Sequence, residues 1–89
     1  MQIEKTPIEI FRDEVASIDE ADYGDFMRKA NHSLILLKEQ IYNKAPLHVQ
    51  GFIDELKYII DYMPNWNVDS TKEKVAQLAE EIRSAAQIP

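Results

Sequence analysis

The sequence predicts an all-α fold: a small antiparallel, up-down-up-down four-helix bundle with a single core layer, formed by residues 1–89 as one domain. Three observations carry the prediction. Four stretches repeat apolar residues at alternating spacings of three and four, which lines one stripe of each helix toward a partner. Capping residues and prolines stand between the stretches. The connections are short, so consecutive helices must run antiparallel, and the three-four spacing favours crossing angles of about 20°. The helices are expected near 7–19, 25–44, 46–63 and 70–87.

Helix one opens at Thr6, a good N-cap, with Pro7 at the tolerated first position and Glu9 as the acid of a capping box. Ile8, Phe11, Val15 and Ile18 form its stripe. Asp19 to Gly24 is the exit, with Gly24 free to take a positive φ and Asp22 placed to cap the next helix. Helix two carries the seam Met27, Ala30, Leu34, Leu37 and Ile41 over about 30 Å. Ile35, Leu36 and Tyr42 lie off that seam, so this helix is apolar on more than one face. Asn43-Lys44-Ala45-Pro46 ends it, because the residue before a proline is pushed out of helical geometry.

Pro46 then serves as the first position of helix three, whose stripe reads Val49, Phe52, Leu56, Ile59 and Met63. Gly51 inside it costs about 1 kcal/mol relative to alanine, which points either to a close helix crossing or to tolerated slack. Pro64-Asn65-Trp66-Asn67 is the longest turn-like loop. Ser70 with Glu73 reads as a second capping box, and Val75, Leu78, Ile82 and Ala85 line helix four. Its small residues Ala76, Ala79 and Ala86 allow close packing. Leu34, Leu37, Leu56 and Ile82 are expected to be deeply buried.

Composition narrows function. Hydrophobic residues make up 45% of the chain, enough for one core and too many for a disordered tail. The absence of cysteine excludes disulfides, thiolate metal sites and cysteine nucleophiles. No secretory signal is visible in Met1 to Arg12, and the longest purely apolar run, Leu34 to Leu37, is one helical turn. The cytoplasm and no membrane contact are therefore expected. The net charge of −6 argues against direct nucleic-acid binding, which needs clustered Lys and Arg. Asp13, Glu14, Asp19, Glu20, Asp22 and Asp25 form a run with no base among them. That run reads either as a solvated helix end and loop or as a docking patch for a basic partner.

No motif marks catalysis. His32 falls opposite the seam of helix two, toward solvent, and reads as an ordinary surface histidine. The alternative is a histidine phosphotransfer carrier, in which an exposed mid-bundle imidazole accepts phosphate from a partner's aspartyl phosphate. Such domains place leucine, lysine and glycine at the second, third and fourth positions after the histidine. Leu34 matches, but Ile35 and Leu36 replace the lysine that screens the phosphate and the glycine that lets the partner approach. His48, in the first turn of helix three, also reads as a surface residue. No Glu-x-x-His pair, EF-hand spacing or phosphate-cradling glycine loop occurs, so neither a metal nor a cofactor is expected.

The aromatic residues carry the rest. Tyr58 and Tyr62 are four apart on one helix face, with Trp66 a turn beyond. Tyrosine and tryptophan suit binding hot spots because they bury much area and keep a polar handle. Their structural alternative is that Trp66 plugs the end of the bundle while Tyr58 and Tyr62 lie at the core boundary. The sequence thus leads to a small acidic non-catalytic protein–protein interaction module of adaptor, regulator, immunity, antitoxin or chaperone type. Its partner would be another protein, first of all a second copy in a homodimer. Ile35, Tyr42, Tyr58, Tyr62 and Trp66 would make the contact, and the acidic run would steer it. A third class is an acidic nucleic-acid mimic that blocks a DNA-binding protein, for which −6 is a modest charge.

Overall fold

A computed structural model describes residues 6–62 and 67–86. The expectations for Met63, for Trp66 and for a helix end near Gln87 lie outside these residues. Among the described residues there are four α-helices and no strand: α1 (Pro7–Ala16), α2 (Tyr23–Ile41), α3 (Leu47–Tyr62) and α4 (Val68–Ala86). Helix α1 packs on α2 and on α4, and α3 packs on α4 and on α2, which closes the bundle.

Local chemistry sets the boundaries. The Thr6 hydroxyl accepts from the Glu9 N–H at 3.4 Å while the Glu9 carboxylate accepts from the Thr6 N–H at 3.0 Å, completing the expected capping box. That backbone hydrogen bond holds the Glu9 carboxyl below its usual range. At the other end of α1 the Ser17 hydroxyl donates back to the Glu14 carbonyl at 3.0 Å, and the helix stops at Ala16, three residues short of the expected end. Ile18 still reaches the core from the loop, and Lys72 fixes it by donating to its carbonyl at 2.6 Å.

Asp22 caps α2 as expected, accepting from the Asp25 N–H at 3.0 Å. The helix begins at Tyr23, so Gly24 lies in its first turn and needs no positive φ. It closes at Ile41 and tightens into a 3₁₀ turn over Tyr42–Lys44, instead of continuing as α-helix to Lys44. Pro46 stands just before α3 instead of at its first position, and its carbonyl accepts from the Val49 and Gln50 N–H groups at 3.0 and 2.9 Å, as that of the residue before a helix does. Helix α4 departs further from expectation. It begins at Val68, because Asn67 accepts from the Ser70 N–H at 3.0 Å. Asn67 caps as well as serine does, and capping there winds Thr71 into the helix and into the core; Ser70 is therefore a first-turn residue and not the cap.

The core contains Ile8, Phe11, Val15 and Ile18 from the first segment, then Phe26, Ala30, Leu34 and Leu37 from α2. Val49, Ile53, Leu56 and Ile60 come from α3, and Val75, Leu78, Ala79 and Ile82 from α4. Leu34, Leu37, Leu56 and Ile82 are buried as expected. The seam of α3 is rotated: Ile53 and Ile60 replace Phe52 and Ile59, which are half-buried at the side. Phe26 replaces Met27 on α2 in the same way. The Tyr23 hydroxyl donates to the Ile60 carbonyl at 2.5 Å and lies 3.2 Å from the buried Thr71 hydroxyl, joining α2, α3 and α4 at one end of the bundle. Arg12 bridges α1 to α4 through Glu80, whose carboxylate also accepts from Arg83 at 3.0 Å. The Arg83 hydrogen bond, with help from Arg12, holds the Glu80 carboxyl below its usual range.

Candidate functional site

Antiparallel packing of α2 on α3 sets polar residues of the two helices opposite one another. Asn31 donates to Asp61 at 2.9 Å and accepts from Lys57 at 3.1 Å, while Lys57 reaches Asp61 at 2.7 Å. Burial alone would raise the Asp61 carboxyl, but the hydrogen bonds from Lys57 and Asn31 outweigh it and hold the group below its usual range. One helical turn or more along, the Tyr42 hydroxyl donates to Asp54 at 3.1 Å, with the Lys38 ammonium 5.1 Å from the tyrosine ring centre. Burial, reinforced by Asp54, raises the Tyr42 hydroxyl above its usual range. Tyr42 is thus engaged within its own fold, as a half-buried clasp of the α2–α3 groove.

The other aromatic residues on this side are free of the core. Tyr58 and Tyr62 are 64% and 61% exposed, which excludes the alternative of a core-boundary position for the two rings. Their ring centres lie 5.3 Å apart, within the range of a favourable tilted aromatic pair. Ile35 on α2 is 57% exposed. Leu47, at the start of α3, is 84% exposed and was not singled out from the sequence, since it opens the helix before any periodicity is established. Gly51 shares the outer face with Leu47, Tyr58 and Tyr62, by spacings of four and seven, and no atom comes within 4 Å of where its Cβ would stand. The close-crossing explanation of Gly51 is therefore excluded within this chain.

The acidic run is largely tied down. Asp13 meets Arg12 at 3.4 Å, Glu20 meets Lys29 at 2.5 Å, Asp25 meets Arg28 at 3.1 Å, and Asp22 is the α2 cap. Glu14 and Asp19 are exposed and form no ion pair among the described residues. His32 is exposed at mid-α2, as expected, and borders a shallow depression of about 400 Å³ with Ile18, Arg28, Lys29 and Ser33. No group of three or more His, Asp or Glu side chains among the described residues is placed to hold a metal ion. Nor is any described helix long and apolar enough to cross a membrane.

A larger feature occupies the other end of the bundle from the Tyr23 clasp. The start of α1, the end of α2, the start of α3 and the last turns of α4 meet around a cleft of about 470 Å³. Ile8, Ile41, Val49, Ile82 and Ala85 line it, with Lys44 and His48 as the ionisable side chains among the described lining residues. Sequence reasoning missed this cleft because it belongs to no single stripe; its residues come from the ends of four. Compared with known protein families, with characterised proteins and with solved structures, the chain matches none.

Proposed function

We propose that the protein is a small non-catalytic binding module that acts through the outer face of α2 and α3, with a second copy of the chain as its first partner. The exposed, tilted Tyr58–Tyr62 pair is the observation that carries this reading. Two large rings held in one orientation by their own contact lose little freedom on binding, and tyrosine is enriched at interface hot spots. Ile35 and Leu47 extend the apolar surface on the same side of the molecule, and covering such surface is a common reason for association. Asp19 and Glu14, unpaired among the described residues, would speed encounter with a basic partner, slow it between two copies of a chain of net charge −6, and add little to holding either. Adaptor, regulator, immunity, antitoxin and chaperone roles all fit a module of this kind, by analogy of fold and charge.

Sedimentation equilibrium and surface-binding kinetics test the reading. Tyr58→Ala or Tyr62→Ala should weaken self-association chiefly through faster dissociation, with the melting temperature of the dilute monomer nearly unchanged because neither ring serves the core. Asp19→Lys should act on the association rate and lose its effect in high salt. Glu20 is unsuited to that experiment, since reversing it also breaks the contact with Lys29. A strictly monomeric protein at high concentration would refute the self-association reading.

A second reading has one observation in its favour. His32 is exposed beside two cations, Arg28 and Lys29, one turn earlier on the same helix, where they could partly replace the missing lysine after the histidine. Both already pair with acids. Acid-labile phosphate on His32, formed when the protein meets a phosphorylated receiver domain, would establish the phosphocarrier; its absence with His32→Ala silent in cells would dismiss it.

A further inference from the structure

We propose that the cleft at the α1–α3 start of the bundle is a binding site for a free alkyl carboxylate. Its volume of about 470 Å³ lies within the roughly 300–1,000 Å³ typical of small-molecule sites. The walls are apolar: Ile8 and Pro7 from α1, Ile41 from α2, Val49 from α3, Ile82 and Ala85 from α4. Such a lining takes an alkyl chain, whose burial supplies about 25 cal/mol for each Å² removed from water. At the rim stand Lys44 and His48, and no acid occurs among the described lining residues. In a chain with net charge −6, a cleft whose described ionisable groups are both basic is complementary to an anion and not to a cation. Lys44 forms no hydrogen bond or ion pair among the described residues, so its ammonium is available to a head group. A linear chain with one carboxylate satisfies walls and rim together. A neutral alcohol satisfies only the walls, and acetate only the rim.

The division of labour follows from magnitudes. An exposed ion pair contributes up to about 1 kcal/mol, or about fivefold in affinity, so the chain supplies most of the binding and Lys44 the selectivity for an anion. The site is independent of the α2–α3 outer face and does not rest on the self-association reading.

Backbone amide NMR titration of the full chain with decanoate, decanol and acetate tests the assignment, at ligand concentrations below micelle formation. Decanoate should give saturable shifts centred on Ile8, Ile41, Val49, Ile82 and Ala85; decanol should bind about fivefold more weakly, and acetate not at all. Lys44→Glu should bring decanoate down to the level of decanol or below. Ala85→Phe should fill the cleft and remove binding, with far-ultraviolet circular dichroism checking its fold and Ile41→Phe as a second blocking variant. Decanoate shifts that fail to saturate or spread over the surface would overturn the site. Equal affinity for decanoate and decanol, unchanged in Lys44→Glu, would overturn the carboxylate assignment.

Discussion

Gly51→Ala should stabilise the protein, and the size of the gain follows from three features of the site. Gly51 is the fifth residue of α3, past the first turn, where the helix penalty of glycine applies in full. Its side is exposed, so the added methyl displaces no neighbour and nothing lies within 4 Å of the new Cβ. No buried area changes, so what remains is the smaller backbone entropy lost on folding, about 0.8–1.0 kcal/mol in favour of alanine. For a domain of this size that raises the melting temperature by about 4–8 °C. Thermal denaturation followed by far-ultraviolet circular dichroism, at two protein concentrations tenfold or so apart, measures it. A melting temperature that stays level or falls would refute the reasoning, since it would require a contact at Gly51 that the chain by itself does not make. The same variant also bears on function. Gly51 lies between Leu47 and Tyr58 on the outer face, and a partner helix that approached the backbone there would be pushed away by the methyl. Association weakened in a variant whose monomer melts higher would locate the interface on this face.

Three further outcomes are expected. Leu56→Ala removes a fully buried side chain at the centre of the α3 seam and should cost about 3–5 kcal/mol in chemical denaturation, most of the stability of a domain this small. Asn67→Ala should cost about 1 kcal/mol as a lost N-cap, whereas Ser70→Ala should be nearly neutral; the reverse order would return the cap to Ser70. Stability should hold from neutral pH down to the ordinary aspartate and glutamate values of 3.8 and 4.5 and fall as pH drops further, because Glu9, Asp61 and Glu80 have folded-state pKa values below those of the unfolded chain. Asp61→Asn should flatten the acid limb of that curve, and an unchanged limb would show that the Asn31–Lys57–Asp61 contact does not form.

The four helices were legible in the sequence because their signals are local. Thr6 with Glu9, Asp22 before α2 and Pro46 before α3 each act within three or four residues; the first two stand where they were expected, and Pro46 stands one residue before the helix it was expected to open. The rotation of α3 was not legible. Val49-Phe52-Leu56-Ile59 and Val49-Ile53-Leu56-Ile60 are both four-member stripes of three-four spacing, about 100° apart only at their second and fourth members. Apolar neighbours at 52 and 53, and again at 59 and 60, let spacing choose either. What decides is where α4 and α2 stand relative to α3, and that is a property of the bundle. The start of α4 failed for a related reason: Asn67 and Ser70 are equally good caps, and only the burial of Thr71 separates them.

The functional surfaces divide along the same line. Tyr58 and Tyr62 fall on one helix face by sequence alone, yet whether that face meets solvent or core depends on the phase of α3, and the phase was the undetermined quantity. Once Ile53 and Ile60 point inward, residues two positions from Ile60 must point outward, so the rotation of the seam carries Tyr62 out beside Tyr58, which faces outward in either phase. Phe52→Ala and Ile53→Ala therefore probe both: with the observed phase, Ile53→Ala costs the full 2–5 kcal/mol or so of a core truncation, and Phe52→Ala less because its ring is half-buried. The inverse order would turn α3 back by about 50°, leave Tyr58 outward and bring Tyr62 to the side of the bundle, so that the two rings would no longer form one outward surface. The cleft at the other end is insensitive to that choice, because Val49 belongs to both stripes and Ile8, Ile41 and Ile82 come from other helices. A misplaced phase would thus narrow the tyrosine face to Tyr58 and leave the carboxylate site in place, so the two proposals fail separately.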